Sequence, residues 1–236
     1  MRKEGRSRTQ IRTPRVTPGF CGSAYSSVLF EMGGTRIICA AGVNADVPEH
    51  AAKRGAGWIT AEYSLLPYST PARTGRDLFR RDGRAVEIQR IIARSLRGAA
   101  DLSRMPGCSI TIDCDVLQAD GGTRTASITG GYIVLCLAVR RMLGESLIAE
   151  NPLRGPVAAV SVGYVGGEPL LDLNYEEDSR ADVDLNVVMD AHGNFIEVQG
   201  TAERSSFTRA QLNEMLELAA SGIDELLAIQ DGYRIS

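Results

Sequence analysis

The chain has 236 residues, 44% hydrophobic and 23% charged, enough for one large core or two smaller ones packed together. No apolar run approaches the roughly 20 residues that span a bilayer, and no apolar segment follows the Arg-rich N-terminus, so neither a membrane span nor a secretory signal is expected. The net charge of −3 hides an asymmetry: residues 1–100 hold 17 Lys/Arg against 8 Asp/Glu, and residues 101–236 hold 9 against 21. Two readings fit that division: an anionic polymer or ligand on one surface with metal ions on another, or halves that pair with each other.

The first 18 residues carry six basic side chains and read as extended up to Thr17-Pro18-Gly19. Ser26–Met32 and Thr35–Ala41 alternate around Gly33-Gly34, a hairpin pattern. Residues 44–84 are rich in Gly, Pro, Arg and Ser, with one short strand near Trp58–Tyr63, and long irregular regions of this kind tend to be functional. Apolar residues at 88, 91, 92, 96 and 99 predict a helix over Val86–Leu102. A strand at 109–117 and a helix over 124–143 follow. Asn151-Pro152 and Gly155-Pro156 mark a boundary between halves at about 13–150 and 156–230. In the second half, Val157–Tyr164 with Pro169–Leu173, and Val183–Met189 with Phe195–Val198, read as two hairpins. A last amphipathic helix covers Thr208–Ile229. Hairpins leading to helices in each half suggest a duplicated β/α unit. The five cysteines form no Cys-x-x-Cys pair, and three lie in apolar patterns where Cys packs as a small hydrophobe, so a cytosolic chain is expected.

The strand ending near Val116 runs into Asp120-Gly121-Gly122-Thr123-Arg124, where a helix begins. Unpaired backbone N–H groups and the helix dipole make such a turn an anion site, and an arginine there is badly placed for the dipole unless it serves a bound anion, most simply phosphate. Arg73, Arg76, Arg80, Arg81 and Arg84 place five arginines in twelve residues, with Tyr63, Tyr68 and Phe79 nearby. Forked guanidinium donors and stacking rings suit RNA, and a solvated basic loop fits as well. Arg84 and Arg124 either converge on one oxyanion or pair with carboxylates such as Glu87 and Asp120. Glu176, Glu177, Asp178, Asp182 and Asp184 form an acidic group that either holds Mg²⁺ or Mn²⁺ or is a solvated loop, and alternation puts 182 and 184 on one strand face. The only histidines, His50 and His192, lie in loops, and no Ser-His-Asp, phosphate-loop or zinc pattern is present. Arginines, hydroxyls and carboxylate-held metal fit phosphoryl or nucleotidyl transfer.

Gly57–Tyr63, Glu87–Arg90, Ile112–Gly130, Leu171–Asp178, Asp184–Met189 and Ile196–Glu203 together resemble the ribonuclease PH family, with matches spread from about residue 13 to 230. The resemblance implies an α/β fold of duplicated βαβα units like the second domain of ribosomal protein S5. It implies a phosphate-dependent 3′→5′ exoribonuclease that trims the 3′ end of tRNA precursors, and rRNA too, releasing nucleoside diphosphates and running in reverse to add nucleotides. A catalytically silent RNA-binding ring subunit is the alternative. The family's phosphate ligands fall on Arg84 and on Gly122, Thr123 and Arg124. Its catalytic, metal-holding carboxylates fall on Asp178 and Asp184, and its tRNA-contacting positions on Arg73, Arg76 and Tyr68, the last standing where an arginine is usual. Mg²⁺ (or Mn²⁺), inorganic phosphate as co-substrate, a homohexamer of three dimers and a cytoplasmic location are likewise implied. The first dozen residues match the family poorly.

Overall fold

Gly33 and Gly34 join Ser26–Met32 (β2) to Thr35–Asn44 (β3) in a two-residue turn, with Met32 opposite Thr35. Gly33 has a φ of 58°, and a Cβ there would also run into the side chain of Arg12, so the turn is tight for two reasons. The computed structural model describes residues 2, 5–75 and 83–235, so the expected RNA contact Arg76, with Phe79, Arg80 and Arg81, lies outside the described residues.

Pro14–Pro18 (β1) pairs with β2, and β3 pairs antiparallel with Ser109–Gln118 (β5). Trp58–Leu65 (β4) adds to β5 in parallel, giving the order β1-β2-β3-β5-β4. Parallel neighbours need a crossover, and Gly83–Gly98 (α2) supplies it. The helix starts three residues earlier than the apolar stripe predicts, at Gly83 and Arg84, both exposed and so outside the stripe. Arg84 therefore sits inside its first turn. Glu49–Ala52 (α1) is a single turn within the stretch read as irregular.

The second sheet is antiparallel throughout. Val157–Val165 (β6), Glu168–Leu171 (β7), Val183–Asp190 (β8) and Phe195–Ala202 (β9) run in the order β7-β6-β8-β9. Arg209–Gln230 (α5) covers it, with Met215, Ala219, Ile223 and Leu226 buried. Tyr175–Asp178 (α4), a short helix not foreseen in the sequence, links β7 to β8. Its capping box, Asn174-x-x-Glu177, was legible: the Asn174 side chain accepts from the Glu177 N–H, and Glu177 accepts from the Asn174 N–H.

Thr123–Gly144 (α3) packs between the sheets, against β2 and β3 on one side and β6 on the other. The sequence reading missed one property of it: this helix is long and apolar enough to cross a membrane by length and composition. It is a core helix, apolar nearly all round because both sheets bury it. Buried residues of both sheets join through it into one hydrophobic cluster, which includes Cys39, Cys114 and Cys136.

Candidate active site

β5 delivers the chain to Gly121 and Gly122, with φ values of 74° and 63°, and α3 begins at Thr123. A Cβ on Gly121 would strike the Leu173 carbonyl, so the turn can lie against the β7–α4 loop only with glycine there. Gly122 has no side chain to cap the helix, and no acidic residue occupies the first turn of α3 or of α2. Each helix instead carries an arginine there, Arg124 and Arg84, and both line one open cleft of about 760 Å³. The dipole and the guanidinium charges thus act in the same direction, toward an anion. Thr123 Oγ1 lies 2.8 Å from Tyr63 Oη, which fixes the hydroxyl at the cleft wall. Burial raises the Tyr63 phenol, and the charges of Arg84 and Arg124 both oppose that rise, so the two arginines converge on one region.

Asp178, the last residue of α4, and Asp184, on β8, line the same cleft. Burial raises Asp178, against the charges of Arg124 and Arg84. Asp184 is pushed up to about 6, first by burial and then by the charge of Asp178. Hydrogen bonds from Asn186 Nδ2 at 3.3 and 3.4 Å orient its carboxylate. Among the described residues no group of three His, Cys, Asp or Glu is placed to hold a metal. Two half-buried carboxylates in one cleft, one of them raised by the charge of the other, nevertheless suit Mg²⁺, which is commonly held by one or two carboxylates, water and substrate phosphate. The same repulsion affects stability. The folded pKa of Asp184 lies above the ordinary 3.8, so its contribution to the fold is present when protonated and is lost as pH rises toward about 6. In buffer free of divalent cations, Asp184→Asn is expected to melt at a higher temperature than the parent at pH 7. The difference should vanish near pH ~4, and an unchanged midpoint at pH 7 would count against this repulsion.

The rest of the acidic group faces elsewhere. Glu177 is turned back to Arg2 and Arg6, and Glu176 pairs with Arg180 at 3.1 Å. Asp182 precedes β8 and does not line the cleft. Asp120, offered by the sequence as a partner for Arg124, instead accepts from the Tyr175 N–H and lies 3.9 Å from Arg12. Tyr68 and Arg73 are exposed on the loop after β4, whose Thr70 reaches the cleft. Sequence reasoning missed Gln199 of β9: it accepts from Arg124 Nη1 at 2.5 Å and donates to Glu87, bridging the halves. Its only signal was its place in a matched, alternating strand. Ser161 and Glu203 also line the cleft, and neither carries a sequence motif.

With this geometry in hand, the chain was compared with known proteins. Residues 10–140 match the model of the 3′ exoribonuclease family, domain 1, and residues 155–222 match that family's domain 2. Ribonuclease PH of Corynebacterium glutamicum (strain R) is 53% identical over 231 residues, covering 97% of this chain and 94% of that protein. Ribonuclease PH of Crocosphaera subtropica is 50% identical, covering 98% of this chain and 96% of that protein. Among solved structures, an Archaeoglobus fulgidus exosome with RNA bound to the active site matches with a TM-score of 0.82 at 22% identity, covering 95% and 91%. Rrp46 of rice (Oryza sativa) matches with a TM-score of 0.78 at 17% identity, covering 98% of each chain.

Proposed function

The chain belongs to the 3′ exoribonuclease family, and from that premise we propose that the cleft between α2, α3 and α4 is where it degrades RNA with inorganic phosphate. The enzyme is a phosphorolytic 3′→5′ exoribonuclease. An oxygen of inorganic phosphate attacks the last phosphodiester, the bond to the 3′ oxygen of the preceding nucleotide breaks, and a nucleoside diphosphate leaves. The shortened RNA keeps the 3′ oxygen, which takes up a proton. Phosphate is its own nucleophile, so no histidine base is needed.

The observation that carries the site assignment is that Arg84 and Arg124 open two helices on one cleft that Asp178 and Asp184 also line. Arg84, Arg124, Thr123 and the N–H of Gly122 hold and orient the attacking phosphate. Tyr63 keeps the Thr123 hydroxyl in place, and Gln199 does the same for Arg124. Asp178 and Asp184 hold Mg²⁺, with Mn²⁺ as the alternative ion; when bound it supplies charge neutralisation at the scissile phosphate and leaving oxygen. The exposed Tyr68 and Arg73 on the loop after β4, together with Arg76, take the body of the RNA. The substrate is the 3′ end of tRNA precursors, with rRNA ends as a second class. Each half, about 13–150 and 156–230, contributes one wall of the site. Exposed Phe195 and Val198 on β9 are apolar surface that partner subunits would cover in a homohexamer. Five free thiols suit the reducing cytoplasm.

The test is product analysis on a 3′-extended tRNA with Mg²⁺, with and without inorganic phosphate. Nucleoside diphosphates that form only with phosphate are the expected result. Monophosphates formed without phosphate would make the enzyme a hydrolase, and bound RNA with no product would make it a silent ring subunit.

A further inference from the structure

The N-terminal arm carries no residue that lines the cleft, yet its arginines are among the most enclosed charges in the protein. The side chains of Arg2 and Arg6 are each 6% exposed, and that of Arg12 is 1% exposed. All three converge on Leu171–Glu177, the segment that carries α4. Arg2 grips Glu177 with a two-pronged pair of bonds, both 2.7 Å, and also donates to the carbonyls of Leu171 at 2.7 Å and Asp172 at 2.9 Å. Arg6 donates to the Asp172 carbonyl at 3.1 Å and lies 3.7 Å from Glu177.

Arg12 joins this segment to the phosphate turn. Its backbone N–H, Nε and Nη2 donate to the Asp172 carboxylate at 2.7, 2.8 and 2.6 Å. Nη1 of the same guanidinium donates to the Asp120 carbonyl, and Nη2 also reaches the carbonyls of Gly121 and Leu173. Asp120 closes the loop by accepting from the first N–H of α4, that of Tyr175, at 3.2 Å. One buried cation therefore touches both the turn that leads into Thr123–Arg124 and the loop that leads to Asp178. Asp172 itself sits at a φ of 54°, a conformation that a residue with a Cβ keeps only when its surroundings hold it.

Such a brace answers a physical need. A helix of four residues has too few hydrogen bonds to stand alone. Its last residue, Asp178, shares a partly dehydrated cleft with the like charge of Asp184. Unsupported, α4 would swing away and take Asp178 with it. We propose that the N-terminal arm, through Arg2, Arg6 and Arg12, is a positioning element that locks α4 to the phosphate turn and so sets Asp178 against Thr123 and Arg124. These are positioning residues, and none of them touches the reacting atoms. The role in turnover rests on the proposed action of Asp178; the mechanical lock does not.

Arg2 is the residue to change, because it makes the forked bond to Glu177 of α4 and its loss leaves the Arg12–Asp172 pair intact. Arg2→Met and Arg2→Lys in the full chain would be compared with the parent by native-state hydrogen exchange and by phosphate-dependent nucleoside diphosphate release. In Arg2→Met, the Glu177 and Asp178 amides should exchange about tenfold faster, while those of β2 and β3 stay as in the parent. Turnover should fall about tenfold, with KM for phosphate within about twofold, because the phosphate turn is untouched. Arg2→Lys should lie between, since an ammonium cannot reproduce the fork. Parent-like exchange at Glu177 and Asp178 would overturn the lock, and so would faster exchange throughout the chain, which would mean general loss of stability. Faster local exchange with parent-like turnover would overturn its role in placing Asp178. If the parent itself released no diphosphate, the functional reading would fail while the exchange data still decided the lock.

Discussion

Replacing Arg124 by alanine is expected to lower phosphate-dependent turnover by about 10³-fold or more while leaving the fold intact. The guanidinium stands in the first turn of α3, where unpaired N–H groups and the dipole already favour an anion. Removing it takes away a forked, permanently charged donor from an anion that must be held in line with the scissile bond. No second residue can take its place, because Arg84 approaches from a different helix. The structural cost is small: Arg124 is only half-buried and its hydrogen bond is to Gln199, whose carbonyl can turn to water. Arg124→Lys should recover part of the activity, since it keeps charge and loses the fork. The check is nucleoside diphosphate release at saturating phosphate beside a thermal melt. Parent-like turnover in folded Arg124→Ala would remove Arg124 from the site.

The second large effect is on stability. Asp172→Ala should destabilise the chain by about 3–5 kcal/mol, because it removes the buried carboxylate 2.6 Å from the Arg12 guanidinium and leaves the Asp120 carboxylate, more exposed and 3.9 Å away. That is a large part of the ~5–15 kcal/mol that holds a typical domain folded. Alanine also tolerates the left-handed backbone at this position poorly, since a φ of 54° suits Asn and Asp best among residues with side chains. Asp172→Asn should therefore be milder, keeping the conformation and two acceptor sites while losing the charge. A denaturant titration reads this as a lower midpoint with an unchanged slope. Equal stability of Asp172→Ala and the parent would mean that Arg12 finds another buried partner.

The longer elements and the glycine turn that opens α3 were legible before any coordinates. Period-two alternation around Gly33-Gly34 placed a hairpin correctly, and the apolar pattern after Arg124 placed α3, because both depend on neighbours a few residues apart. The Gly-Gly-Thr-Arg turn announced an anion site for the same local reason. The apolar stripe placed α2 but not its start, since the helix opens on Gly83 and Arg84, which are exposed and add nothing to the stripe. The core role of α3 could not be read from its composition, which also fits a membrane span, because only the two sheets packed on it tell the cases apart.

The acidic group shows where sequence stops. Glu176, Glu177, Asp178, Asp182 and Asp184 look alike on paper, and alternation favoured 182 with 184. The fold instead sends Asp178 and Asp184 into the cleft and holds Glu177 behind it, in the grip of an arginine 175 residues away. Gln199 reaches Arg124 and Glu87 from another strand in the same way. The sequence by itself determined the longer strands and helices, the glycine turn that opens α3 and the family, which singled out Asp178 and Asp184, because each is written in short spacings or in a run of matched residues. Only the tertiary structure decided that both carboxylates line one cleft with Arg84 and Arg124 and what braces α4, because a charge takes its direction from partners brought close by folding.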